Sequence, residues 1–270
     1  MSVARRLVPL VRSADPDVRL WSIAVGANGG WITPARLAIV TTFVAAEKAS
    51  GAWALTDDYW CLWGENEAQA LTSLKQRRLA TKVNVPTFTA SRQYAFDGAS
   101  NYLNTGFVPS THGIAYTGNV QRIAAYERVN FATAAAAAGC RVGTASSIMI
   151  VPRQSSSIVG ALNNTAGAVN FVISPADSTG LKAISRAGGT TALGYDRGVR
   201  KTDVTSLTIG SSTPPSVALF IGAYNSSNTP ISFRAASIGF VAIGGPLSDA
   251  QELAQYNAVQ GWATAIGANV

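Results

Sequence analysis

The stretch that decides the fold is SIGFVAIGGPLSDAQELAQYNAVQGWATAIGANV, residues 237–270. Its first eight residues alternate with period two, Ile238, Phe240 and Ala242 against Gly239, Val241 and Ile243, and both sets are apolar. A strand apolar on both faces belongs in the middle of a sheet that is covered on both sides. Gly244, Gly245 and Pro246 then turn the chain, and Ser248 with Gln251 has the S-x-x-Q spacing of a capping box, which opens a helix. Leu253, Tyr256, Val259, Ala263 and Ile266 form the helix stripe expected to face the protein, with Gly267 placed to end it.

Working back from there, short segments of strand character recur every 10–15 residues: QRIAAYERV, SSIMIVP, AVNFVIS, GLKAISRAG, TALGYDRGVRK, SVALFIGAYN and ISFRAASIGFVAIG. Gly, Asn, Ser and Pro clusters separate them and no helical pattern intervenes, which indicates an antiparallel sandwich or jelly roll. QYAFDGASNYLNTGF adds two short strands about an Asp-Gly turn.

The texture changes near residue 90, and five of the six tryptophans (Trp21, Trp31, Trp53, Trp60, Trp63) precede that point. Thr33 and Pro34 make a helix entry, the stripe Leu37, Val40 and Val44 with Ile39 and Phe43 continues it, and Gly51 closes it. DDYWCLWG reads as a strand, and NEAQALTSLKQRR as a second helix capped by Asn66. The expected organisation is therefore an extended arm over 1–32, a small helical subdomain over 33–90, and a sandwich with a C-terminal helix over 91–270.

The chain has 270 residues, 47% of them hydrophobic and only 13% charged, so disorder is excluded. Its net charge of +7 invites a nucleic-acid reading, but the positive residues are scattered and only LKQRRLATK is dense, so nucleic acid is not the expected partner. MSVARRLVPLVRS has arginines on both sides of a very short apolar run and is no signal peptide, and no run is long enough to span a membrane. Cys61 and Cys140 sit in apolar surroundings and read as buried thiols; two cysteines alone do not establish a disulfide.

Catalytic chemistry is hard to find. His112, in PSTHGIAY, is the one histidine, and no nucleophile-elbow motif accompanies it. No cluster with zinc spacing, phosphate loop or EF-hand loop occurs, so no metal or cofactor is expected. Glycoside hydrolysis needs two carboxylates on one cleft. The acids beyond residue 90 are Asp97, Glu127, Asp177, Asp196, Asp203, Asp249 and Glu252, and none makes the E-x-D-x-x-E spacing of sandwich glucanases. Asp97 belongs to its turn, and Asp249 and Glu252 to the first turn of the last helix, where negative charge suits the dipole. A pair formed by Glu127 and Asp196 is the enzymatic alternative.

Three stretches together resemble laminin-G-like, concanavalin A-like domains of tailed-phage virion proteins. FDGASNYLNTGF resembles their opening strand pair. ISRAGGTTALGYDRGVRK resembles paired strands ending in a Tyr-x-Asn-Gly hairpin, with Asp196 at the Asn position and Arg197 before Gly198. LFIGAYNSSNTPISFRAASIGFVAIGGPLSDAQELAQYNAV resembles the closing strands and Leu-Ser-x-x-Gln helix, and LKQRRLATKVNVPTFTASRQYAFDG the segment leading in. The likeness covers roughly residues 33–268. It implies a mainly β concanavalin A-like sandwich that serves as a non-enzymatic structural or adhesive part of a phage particle, in tail fibre, tail tip or head. The implied partners are other virion proteins, further copies of the chain and host surface polysaccharide, and the implied location is the virion. A glycan depolymerase and a ligand-free capsid decoration protein are the alternatives. Calcium, held by some laminin-G-like domains, is not carried over, because Asp196 stands alone in its hairpin. Tyr224, Asn225 and Asn228 in GAYNSSNTP, with Tyr195 and Arg197, are the candidate sugar-binding residues, although each is also a residue type that simply shapes turns.

Overall fold

The computed structural model describes residues 15–143, 145–163, 168–174, 176–201, 207 and 213–270. Among the described residues six helices accompany the strands: α1 (Pro16–Ala27), α2 (Pro34–Ser50), α3 (Ala52–Leu55), α4 (Glu67–Leu71), α5 (Pro109–His112) and α6 (Asp249–Ala265). The first sheet runs β13 (Val199–Arg200), β12 (Ala192–Asp196), β11 (Gly180–Ala187), β6 (Val120–Glu127), β17 (Ser237–Gly244), β4 (Gln93–Ala95), β3 (Thr87–Thr89), and β1 (Thr56–Cys61) pairs with the rest of β17. The second runs β10 (Val169–Val172), β9 (Ser157–Leu162), β8 (Ser146–Gln154), β7 (Ala138–Val142), β14 (Phe220–Ile221), β5 (Tyr102–Asn104), β2 (Thr81–Val83). A short strand, β15 (Tyr224–Ser226), also pairs with β7, and β16 (Thr229–Ile231) pairs with β15; β15–β7 is parallel where the other pairs among the described residues are antiparallel. The architecture is the expected antiparallel sandwich with helices at both ends of the chain.

Two cores result. Ile123, Ala125, Ile148, Ile150, Ile158, Ile184, Val241 and Ile243 fill the space between the sheets. Val18, Trp21, Val40, Phe43, Tyr59, Trp63, Tyr126, Phe240, Val259 and Trp262 fill the space between the first sheet and α1, α2 and α6. The first sheet is thus covered on both faces, which is why β17, at its centre, is apolar throughout. Its strict alternation breaks at one point. The register with β6 slips between Ile238 and Phe240, so the extra residue Gly239 sends Ile238 to the inter-sheet core and Phe240 to the helical one. A Cβ at Gly239 would lie 2.4 Å from the Trp63 ring, so only glycine fits.

The caps stand as the sequence indicates. Thr33 accepts from Arg36 N–H, Gly51 closes α2 in the left-handed region, and Ser248 and Gln251 form a complete capping box. Asp97 accepts N–H bonds from Ala99, Ser100 and Asn101 in its turn, and these hold its carboxyl well below the ordinary range.

Three expectations are corrected. Within 1–32, residues 16–27 are helical, capped by Asp15 and buried through Val18, Trp21 and Val25, and the Trp21 indole donates to Thr72 O at 3.1 Å; residues 1–14 lie outside the described chain. Residues 33–90 are no separate subdomain, since β1 is a strand of the first sheet and α2 shares the helical core with α6. The second helix stops at Leu71, and the basic cluster after it is not helical: Lys75 Nζ donates to Trp53 O at 2.6 Å and to Thr56 O at 2.5 Å.

The inward face of α6 also differs. Glu252, Gln255, Val259, Trp262 and Ala263 are buried, whereas Leu253 is 46% exposed. The cause is Arg122 on β6, which is fully buried and donates through Nε and Nη2 to the two Glu252 oxygens, both at 2.6 Å. A buried guanidinium without a carboxylate is far costlier than an exposed leucine, so the ion pair turns the helix. Glu252 is therefore a core residue and not a dipole-facing surface acid. Glu47 of α2 shares this layer, accepting from Tyr59 OH and Gln255 Nε2, both at 2.8 Å, and burial pushes its carboxyl up.

Candidate functional site

The structure separates the expected sugar-binding residues. Tyr195, on β12, is 1% exposed in the helical core, and its hydroxyl donates to Asp249 at 2.8 Å. Arg197, in the β12–β13 hairpin, donates through Nη2 to Asp177 at 2.5 Å and Thr179 Oγ1 at 2.9 Å. Both belong to the first sheet. Tyr224, Asn225 and Asn228 are on the second. Asn225 is buried, donating to Ala218 O at 2.7 Å and accepting from the Asn228 backbone N–H at 2.8 Å, so its side chain shapes the turn, while the Asn228 side chain is exposed. Tyr224 is 6% exposed and is no open loop aromatic.

The carboxylates are equally engaged. Glu127 is fully buried and accepts from Arg234 Nε at 2.8 Å and Nη2 at 2.7 Å; burial nonetheless pushes its carboxyl up. Asp196 is bonded by the Lys182 ammonium and flanked by Arg197 and Lys201 at 3.7 and 3.8 Å. A general acid and a nucleophile must face a substrate, and these two face their own cations. His112 is half-buried within α5, where its Nδ1 accepts from Val108 N–H at 2.8 Å; partial burial, then Arg78, lowers its basicity. Cys61 and Cys140 are buried free thiols, both made less acidic by burial. Among the described residues no group of His, Cys, Asp and Glu could hold a metal ion, and no helix is long and apolar enough to cross a membrane.

What remains open is the outer face of the second sheet, since the helices cover the first. Leu103 of β5 and Ile221 of β14 point into the inter-sheet core, so their neighbours Tyr102, Asn104 and Phe220 point outward. The Tyr102 and Phe220 rings lie 4.4 Å apart, and Phe233 adds its ring 6.2 Å from Tyr102. Phe220, 4% exposed, is the floor; Tyr102 and Phe233 are half-buried. Phe220 pairs directly with Gly139 of β7. On Gly139 lies the Tyr224 ring, so close that a Cβ there would meet Tyr224 at 2.8 Å. Above that ring, at 5.3 Å, is the guanidinium of Arg141. The result is an aromatic strip crossing β5, β14 and β7, two strand spacings or about 10 Å wide. Tyr102 and Phe220 escape a motif search because each is one half of an ordinary strand alternation, and Phe233 because it lies in the short segment between β16 and β17. The available signal is the period-two pattern of NYLN and ISFRA, which sets Tyr102 and Phe233 opposite buried partners.

No protein-family model matches the sequence, and no curated protein matches it. Solved structures do share its shape. A Trypanosoma rangeli sialidase mutant displaying trans-sialidase activity superposes with a TM-score of 0.51 at 9% identity, over 83% of this chain and 40% of that one. The HCR/D F1240A mutant gives 0.50 at 12%, over 75% and 52%. Domain 4 of AbnA, an extracellular arabinanase from Geobacillus stearothermophilus bound to arabinotriose, gives 0.49 at 12%, over 74% and 98%. The chain spans about two fifths of the sialidase and half of HCR/D. At these identities the likeness is one of fold.

Proposed function

We propose that this chain is a non-enzymatic glycan-binding sandwich, a structural and adhesive component of a phage particle, and that it binds through the open face of its second sheet. The observation that carries the binding reading is the Tyr102–Phe220–Phe233 cluster. The half-buried rings of Tyr102 and Phe233, set over the buried Phe220, are suited to the apolar face of a sugar ring, and Asn104 beside them supplies a hydrogen-bonding amide. The engagement of Glu127 by Arg234 and of Asp196 by Lys182 supports binding without cleavage. The sandwich likeness to a sialidase accords with a sugar ligand. The placement in a virion, with other virion proteins and further copies of the chain as partners, rests on the resemblance of residues 33–268 to phage proteins.

The test is binding to a panel of bacterial surface polysaccharides. The wild-type chain binds at least one, Tyr102→Ala with Phe233→Ala abolishes that binding, and no reducing sugar is released. Binding indifferent to both substitutions removes the site. Release of reducing ends that stops with Glu127→Gln or Asp196→Asn establishes the depolymerase instead. Mass spectrometry of purified particles tests the virion placement, which fails if the chain is absent from them.

A further inference from the structure

Resting on that reading of the aromatic strip, we infer that the ligand is a glycan bearing carboxylates and that Arg141 reads the charge. Arg141 stands on β7 two residues beyond Gly139, and in register beside Ser226 of β15. Its Nε donates to Ser226 Oγ at 2.9 Å while its guanidinium lies over the Tyr224 ring. One bond and one stacking contact therefore fix the plane of the group. Its two terminal nitrogens have no acceptor among the described residues.

That separates Arg141 from the arginines that hold the fold. Arg122 carries Glu252, Arg234 carries Glu127, and Arg197 carries Asp177; Arg186 donates to the carbonyls of Leu162, Asn163 and Gly189. Arg141 makes none of the ion pairs found among the described residues, although its guanidinium is held by Ser226 and the Tyr224 ring.

A planar guanidinium with one edge anchored and the other free presents parallel N–H donors matched to the two oxygens of a carboxylate. A stacked, partly desolvated guanidinium also binds an anion more strongly than one waving in solvent. The adjoining rings supply a surface for the sugar itself, so one uronic or sialic-type residue can set its carboxylate on Arg141 while its neighbour in the chain covers Tyr102 and Phe233. The net charge of +7 draws a polyanion towards the molecule but cannot choose between anions. Arg141 supplies the choice. A neutral sugar meets only the aromatic half of the strip.

The experiment uses oligogalacturonate, hyaluronan oligomers and sialyllactose, each beside its own methyl ester, with neutral arabinan and galactan oligomers as further probes. Isothermal titration is run on the wild-type chain, Arg141→Gln, Arg141→Lys and Tyr102→Ala. At least one acid is expected to bind about tenfold or more tighter than its ester, the factor given by a charge-assisted hydrogen bond. Arg141→Gln brings that ratio close to one and leaves the ester's affinity and the unfolding midpoint unchanged. Arg141→Lys, which keeps the charge but not the fork, recovers only part of the preference. Tyr102→Ala weakens acid and ester alike. Equal binding of acid and ester by the wild type, an undiminished preference in Arg141→Gln, or failure to bind any acid while a neutral oligomer binds would each overturn the inference. Those results leave the strip itself standing. Only binding that ignores Tyr102→Ala removes the strip.

Discussion

Two adjacent residues on α6, Glu252 and Leu253, give opposite expectations that one denaturation series can separate. Glu252 is fully buried and holds both Nε and Nη2 of Arg122, itself fully buried. Replacing it by alanine leaves a guanidinium in the core without its hydrogen-bonded carboxylate, with Glu47 as the remaining neighbouring acid, and its Nη1 already lacks a partner. Breaking such a pair costs about 3–5 kcal/mol, a large part of the roughly 5–15 kcal/mol that holds a domain together. Leu253 is 46% exposed. Truncating a fully buried leucine costs about 2–5 kcal/mol, but a half-exposed one leaves little cavity, so Leu253→Ala should cost less than about 1 kcal/mol. Urea unfolding at neutral pH, followed by tryptophan fluorescence, measures both against the wild type. The double change Arg122→Met with Glu252→Met should regain most of the loss, because removing both charges removes the unpaired one. The reasoning is refuted if Glu252→Ala stays within about 1 kcal/mol of the wild type, or if Leu253→Ala proves the more damaging of the two.

Two further perturbations test other parts of the fold. Asp58 is fully buried, accepts N–H bonds from Tyr59, Lys75 and Gln76, and is pushed up to about 6, chiefly by burial. Because its folded value is raised, the native state holds a proton that the unfolded chain has lost between about pH 4 and 6, so stability falls as pH rises through that window. At 1.36 kcal/mol per unit over about two units, the wild type should lose about 3 kcal/mol more than Asp58→Asn across it; parallel pH profiles would contradict the assignment. Gly239→Ala sets a methyl group 2.4 Å from the Trp63 ring. It should cost about 1–3 kcal/mol in urea unfolding, and a neutral result would mean that the bulge does not rely on glycine.

Much of the fold is legible in the sequence because its signals are local. The caps at Thr33, Gly51 and Ser248, the Asp97 turn and the doubly apolar β17 each depend on a few neighbouring residues. What is not legible comes from charges that face inward. Arg36, Glu47, Arg122 and Glu252 are all buried, and a hydrophobic stripe drawn on α6 places Glu252 outside and Leu253 inside. Only the partner on a distant strand, Arg122, reverses that assignment, and no periodicity encodes the partner. The arm before residue 33 illustrates a weaker signal: Asp15 and Pro16 are a helix entry, yet Gly26 inside the helix and Gly29 and Gly30 after it obscure it. The site is hidden for a related reason. Tyr224, in a Gly/Asn/Ser-rich segment, has the sequence context of an exposed loop aromatic, but the absence of a side chain at Gly139 lets its ring lie flat and buried on the sheet. Tyr102 and Phe233, which are half-buried, look in sequence like any outward half of a strand.

Hydroxyl-radical footprinting of the chain, with and without a bound polysaccharide, tests the central claim most directly, because it reads side-chain exposure residue by residue. Trp31 and Phe131 are exposed aromatics outside the strip, at 48% and 39%, and serve as internal references. The account predicts that a bound glycan lowers oxidation of Tyr102 and Phe233 and leaves Trp31 and Phe131 unchanged. Protection of Trp31 or Phe131 with Tyr102 and Phe233 still fully oxidised would contradict it.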